Sequence, residues 1–239
     1  RGNSMCLNGI DAQLLSREQV REIIPMADFS ENVRFPIFGG LMQPSAGTAR
    51  HDAVAWGYAR QADSMGVDII QNCEVKDIKT DNHKVEGVNT SKGFIKANKV
   101  AVVASGHTSV LAQTAGVKLP LQSRPLQALV SEPIKPIINT VVMSNAVHAY
   151  VSQSDKGELV IGAGTDAYIS YTQKGTHEVI EGTLKAILEL YPIFSRLRML
   201  RQWGGIVDIC PDASPIISKT SIKGLYFNCG WGTGGFKAT

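Results

Sequence analysis

An apolar run that opens into a glycine-dense loop constrains this chain more than any other stretch. Leu225-Tyr226-Phe227 reads as a short buried strand, and after Asn228-Cys229 come four glycines in six residues (Gly230, Gly232, Gly234, Gly235) and then the cation Lys237. Glycine reaches positive φ without strain and lets a ligand approach the backbone closely, because no Cβ stands in the way. A strand that opens into such a loop is how α/β proteins present backbone N–H groups to an anionic or polar planar cofactor. The alternative is a mobile Gly-rich tail. Trp231 and Phe236 are costly to leave in water, which favours the ordered loop.

The 239 residues suffice for one large domain or two modest ones. With 44% hydrophobic and 19% charged residues, the composition is globular and turn-rich rather than disordered. A net charge of +3 without a dense basic stripe gives no reason to expect nucleic acid as a partner. The longest apolar stretches are strand-sized, so no membrane span is expected, and no signal-peptide pattern opens the chain. Cys6, Cys73, Cys210 and Cys229 are dispersed and form no C-x-x-C pair. They read as reduced core residues of a cytoplasmic protein, with no metal site implied. The chain begins at Arg1 and stops just past the glycine loop, which reads as an internal fragment of a longer protein. Such a fragment is not expected to fold stably alone.

Taken in order, Ser16 and Gln19 form a capping-box pattern for a helix running to about Ile24 and stopped by Pro25. Thr48 is the expected N-cap of the clearest helix, in which Val54, Ala55, Tyr58, Ala59, Ala62 and Met65 recur at helical spacing before Gly66. His51 falls in its first turn, where the dipole and unpaired N–H groups favour a neutral, nucleophilic imidazole. The alternative is a histidine that only packs.

Strands are expected at Val67–Ile70, continuing through Cys73–Val75, then in a meander at Lys84–Val88 and Gly93–Ala97. Lys99–Ala104 reads as a strand covered on both faces. It leads into the small-residue turn Ser105–Ser109, which holds His107, and a short helix follows. This is the pattern of the second half of a nucleotide-binding α/β domain, without G-x-G-x-x-G.

From Leu121 the pattern turns antiparallel. Strands are expected at 126–130, 140–143, 148–151 and 158–162, with Lys156-Gly157 as a hairpin turn. A helix capped by Thr176 and stopped by Pro192 follows, then a strand at 203–209. The fold class is therefore α/β with α+β character: a doubly wound domain carrying an inserted antiparallel sheet.

Several segments together resemble the beta subunits of heterotetrameric sarcosine oxidases, amine-oxidising flavoproteins of the D-amino-acid-oxidase-like class. They are Thr48–Trp56, Pro125–Glu132, Gly204–Asp208, Asp212–Ile217 and Gly230–Lys237. The resemblance implies a substrate domain at 1–43 and 121–205. It implies the second half of an FAD-binding domain at 44–120, whose first βαβ unit is missing, and a return at 206–239. It also implies non-covalent FAD, and FMN bonded covalently to a histidine that matches His51. The implied reaction is oxidation of sarcosine at FAD, electron transfer to FMN and reduction of O2 to H2O2. Alpha, gamma and delta subunits are the implied partners, with tetrahydrofolate bound on one of them.

Lys237 matches the lysine beside the FAD ring and the substrate carboxylate, which implies both catalytic and binding roles. Gly232 and Gly235 match positions whose backbone meets the flavin, and Val75 one that contacts the FAD nucleotide. His107 is a candidate for either flavin, and Tyr150, with His148, for the substrate side. Arg34 or Arg124 is a candidate second contact for the carboxylate. Related single-chain enzymes cage the amine with an aromatic residue, where the corresponding region here offers only Trp203. The alternative is another FAD-dependent secondary-amine or amino-acid oxidase or dehydrogenase, of the glycine oxidase or dimethylglycine dehydrogenase type.

Overall fold

The computed structural model describes residues 2–238. The chain runs through α1 (Gly2–Leu7), β1 (Gln13–Ser16), α2 (Arg17–Ile23), β2 (Gly39–Met42) and α3 (His51–Ser64). It continues with β3 (Val75–Asp81), β4 (Lys84–Thr90), β5 (Gly93–Lys96), β6 (Val100–Val102) and α4 (Thr108–Thr114). Next come β7 (Gln122–Pro133), β8 (Val142–Ser144), β9 (Ala149–Gln153), β10 (Glu158–Thr165) and α5 (His177–Leu190). The last elements are β11 (Met199–Ile209), β12 (Ile216–Lys219) and β13 (Leu225–Cys229). The chain divides into two compact units. The first holds residues 1–48, 126–165 and 174–204, and the second 49–125, 166–173 and 205–239.

In the first unit a sheet of order β11-β7-β10-β9-β8 carries the core on one face. Alternation does this: Leu129, Val151, Leu159 and Ile161 point inward from neighbouring strands and are at most 4% exposed. Helix α5 covers them with Ile187 and Leu190. It sits close, since a Cβ at Gly164 would come within 2.2 Å of Val179 Cγ1. The expected hairpin at Gly157 forms, with φ at +101° and the Ser154 N–H donating to Glu158. The expected capping box of α2 also forms, Ser16 and Gln19 bonding reciprocally.

The second unit has two three-stranded sheets. In the first, β13 pairs parallel with β6 (Leu225 with Val100, Phe227 with Val102) and antiparallel with β12. The other is the meander β3-β4-β5, turned at Asn82 and His83, both at positive φ as a two-residue hairpin loop requires. Helix α4 packs on β3, with Ala112 fully buried and the Thr114 hydroxyl accepting the Ile78 N–H at 3.1 Å. Ile78, Val85, Val102, Leu225, Phe227 and Cys229 complete this smaller core.

Five expectations are corrected. Only Cys210 and Cys229 lie in the core, while Cys73 is half-buried and Cys6, beside the short helix α1 that buries no residue, is exposed. Residues 67–70 form no strand, and Val67, Ile69 and Ile70 are exposed: β-branched composition gives no ladder without a partner strand. Helix α3 starts at His51 with Arg50 as its N-cap, and Thr48 lies outside it. None of its residues is buried, so its regular apolar spacing meets no covering surface among the described residues. Strand β6 is buried on one face only, at Val102, whereas Ala101 and Val103 are exposed.

Candidate functional site

Strand β13 buries Leu225, Phe227 and Cys229 on one face, so the chain reaches Gly230 at a fixed place in the core of the second unit. The backbone then turns through positive φ at Gly230 (75°) and Gly232 (53°). The Trp231 indole is held by its Nε1–H, which donates to Asn228 Oδ1 at 2.6 Å. Gly235 packs under it: a Cβ there would lie 3.2 Å from Trp231 Cβ. The Trp231 carbonyl accepts the Gly234 N–H, and a single 3-10 turn, Gly235–Ala238, presents Lys237. The Lys237 ammonium is exposed and donates to the Thr233 carbonyl at 3.4 Å.

Asp208 on β11 ties this loop at its base. Its Oδ2 accepts the Gly230 N–H at 2.6 Å, and its main-chain carbonyl accepts the Gly232 N–H at 3.0 Å. Within the described residues no hydrogen bond takes up the N–H of Thr233 or Gly235. A cradle with backbone donors to spare, glycines that leave access and an exposed cation at its rim fits a planar anionic or carbonyl-bearing ring.

A second small-residue turn follows β6. Ser105 adopts φ +46°, and buried Gly106 leaves no room for a side chain, since a Cβ would meet Ile206 Cγ2 at 2.3 Å. The exposed His107 ring sits 5.2 Å from that of Tyr171 at a tilt of 44°. Beside it, Thr108 Oγ1 is buried and makes no hydrogen bond among the described residues. Such an orphaned hydroxyl is consistent with a ligand group beside this turn.

His51 is the first residue of α3 and is exposed. Val75 opens β3, half-buried, opposite Thr90. His51, Val75, His107, Gly232, Gly235 and Lys237 thus share the second unit, yet no hydrogen bond or ring contact joins His51, Val75, His107 and Lys237 to one another. Tyr150 belongs to the first unit, on β9, and lies flat over Gly162, where a Cβ would meet its hydroxyl at 2.7 Å. Burial raises its phenol above the usual value, which keeps the hydroxyl protonated as a donor.

His148 precedes this strand at positive φ, exposed. Arg34 pairs with Glu189 at 3.7 Å and lies over the Phe35 ring. Arg124 donates to Gln122 while its Nε is buried without a partner among the described residues. Sequence reasoning missed Tyr171 and Asp208. The only signal for Asp208 was an acid inside the otherwise apolar run Ile206-Val207-Asp208-Ile209-Cys210.

Residues 3–239 match the family of FAD dependent oxidoreductases. The chain is 58% identical over 232 residues to the sarcosine oxidase subunit beta of Arthrobacter sp, a match that covers 97% of this chain and 57% of that protein. It is 56% identical over 239 residues to the sarcosine oxidase subunit beta of Rhizobium meliloti (strain 1021), covering 100% of this chain and 57% of that protein. The chain thus spans a little over half the length of these relatives. Among solved structures, L-proline dehydrogenase from P. horikoshii superposes with a TM-score of 0.89 at 27% identity, covering 98% of this chain and 63% of that one. Glycine oxidase from Bacillus cereus ATCC 14579 shares the fold, with a TM-score of 0.82 at 23% identity, 98% of this chain and 62% of that one. The chain belongs to the FAD-dependent oxidoreductases and has their mixed helix-and-sheet fold.

Proposed function

We propose that this chain is part of a flavoprotein oxidase subunit that oxidises sarcosine. The products are glycine, H2O2, and formaldehyde or methylene-tetrahydrofolate, with electrons passing from FAD to an FMN bonded to His51. The observation that carries this reading is the 230–237 loop, an amide cradle ending in an exposed ammonium, in a chain 58% identical to a sarcosine oxidase beta subunit. FAD would be held by the Gly232 and Gly235 backbone, with Val75 on its nucleotide side and His107 at the turn after β6; bound, it supplies the two-electron acceptor. Lys237 pairs with the substrate carboxylate and stabilises negative charge that develops beside the ring. His51 is exposed, as a side chain that takes a covalent attachment must be. Tyr150 contributes a protonated hydroxyl toward the substrate.

In the same reading the second unit is the FAD-binding part and the first the substrate-binding part. The full-length subunit adds a first βαβ unit that brings the dinucleotide motif. Alpha, gamma and delta subunits complete a cytoplasmic complex that draws O2 and tetrahydrofolate. No helix among the described residues is long and apolar enough to cross a membrane.

The test is the visible spectrum of the full-length complex before and after acid precipitation. Flavin remaining in the pellet, and lost in His51→Ala, supports the two-flavin reading. The likeness to a solved L-proline dehydrogenase supports a second reading, another FAD-dependent secondary-amine or amino-acid oxidoreductase, and full release of the flavin as FAD, with none left on His51, would select it. Lys237→Ala is expected to keep FAD and lose about 100- to 1,000-fold in kcat/KM, the scale of removing one charge-stabilising donor. Unchanged turnover would remove Lys237 from the chemistry.

A further inference from the structure

Asp208 is 2% exposed, and among the described residues no cation pairs with its carboxylate. Its neighbours include the Cys210 and Cys229 thiols. Burial first, with Asp208 next, pushes the Cys229 thiol up to about 11, so it stays protonated. An unpaired carboxylate in such surroundings is costly, and a residue needed only for packing would serve better apolar. The return is structural and specific: side chain and main chain of one residue bond to loop positions 230 and 232. Between them Ile209 and Trp231 form an antiparallel bridge. The side-chain bond is short, 2.6 Å, and buried. It fixes the Gly230 turn, where φ is +75° and a Cβ would press on Leu121 Cδ2 at 3.3 Å.

We propose that Asp208 is a positioning residue for the flavin site, pinning the Gly230 turn so that the amides of Thr233 and Gly235 and the ammonium of Lys237 are held in register with the ring. This rests on the reading of the 230–237 loop as a flavin loop. Loss of the side chain strands a buried N–H and lets the loop relax. Asparagine keeps an acceptor of the same shape at Oδ1 and therefore keeps the pin.

The test uses Asp208→Ala and Asp208→Asn in the full-length complex. Asp208→Ala is expected to weaken FAD binding about tenfold, equal to about 1.4 kcal/mol, measured by flavin fluorescence on titrating the apoprotein. Its loss in kcat/KM overlaps that of Lys237→Ala, so the double variant falls well short of the product of the two. Asp208→Asn stays within about twofold of wild type on both measures, because the acceptor survives. Hydrogen exchange at the Gly230 amide in the apoprotein rises about tenfold in Asp208→Ala and not in Asp208→Asn.

Unchanged FAD affinity in Asp208→Ala, or a tenfold loss in Asp208→Asn, overturns the proposal while leaving the flavin reading intact. If Asp208→Ala does not fold, the Asp208→Asn arm alone decides. A wild-type complex without flavin sinks the flavin reading, and the exchange measurement then shows separately whether the pin exists.

Discussion

The two units differ in how completely each buries its own apolar surface. The first closes a deep core under α5, where Leu159, Ile161, Ile187 and Tyr191 are at most 1% exposed. The second has the smaller core and carries α3, with no buried residue, beside exposed Val67, Ile69 and Ile70. Trp56 and Tyr58 on that helix are 54% and 62% exposed. A large aromatic costs free energy in water, so a helix of this kind belongs under a cover. The lesson is that the unit richest in candidate site residues is also the one whose hydrophobic demand is least met within these residues.

The comparison is tested hardest by Leu159→Ala, which removes a fully buried side chain from the first unit. It should destabilise the full-length protein by about 2–5 kcal/mol in denaturant unfolding. A loss below 1 kcal/mol would mean the first core is looser than its burial indicates.

Next in size is an alkaline effect. Burial pushes the Tyr191 phenol up to about 12 from 10.0. Between these values the unfolded chain ionises and the folded one does not, so stability is full below pH 10 and falls toward pH 12, by about 2–3 kcal/mol. In Tyr191→Phe that part of the slope should vanish. An unaltered slope would assign it elsewhere, and in the second unit Cys229 is the corresponding group.

Smaller again is Trp56→Ala. In the full-length subunit its effect should rise toward about 3 kcal/mol if the helix is covered there. A loss within about 0.5 kcal/mol, as for exposed positions generally, would leave the face of α3 open.

The mildest test is chemical. The exposed Cys6 should react with a thiol reagent at pH 8, while buried Cys229 should stay unlabelled until the protein unfolds. Labelling of Cys229 in the native state would show that the second unit opens readily.

What was legible in the sequence was what short-range physics decides. The Ser16–Gln19 capping box, the Gly157 turn and the hairpin of β4 and β5 each need only neighbours a few residues away. What was not legible depended on partners far along the chain. Residues 67–70 had the composition of a strand but no ladder to join. The apolar spacing of α3 said which face should be covered, not whether anything covers it. Asp208 could be read only as an acid in an apolar run, because its meaning comes from Gly230 and Gly232 on another element. The candidate site was located by glycine density and family likeness. Its internal support was visible only in three dimensions.

The parallel pairing of β13 with β6 has one further consequence, which concerns time rather than energy. Leu225 meets Val100, so the whole of β7 through β12 must be enclosed before that ladder can zip. Loop closure of this length is entropically slow to nucleate, whereas the hairpins of the first unit join near neighbours. During synthesis the first unit's strands emerge and can pair while Leu225 is still unmade. The glycine loop follows directly on this strand, so the turn at Gly230 waits on the same long closure.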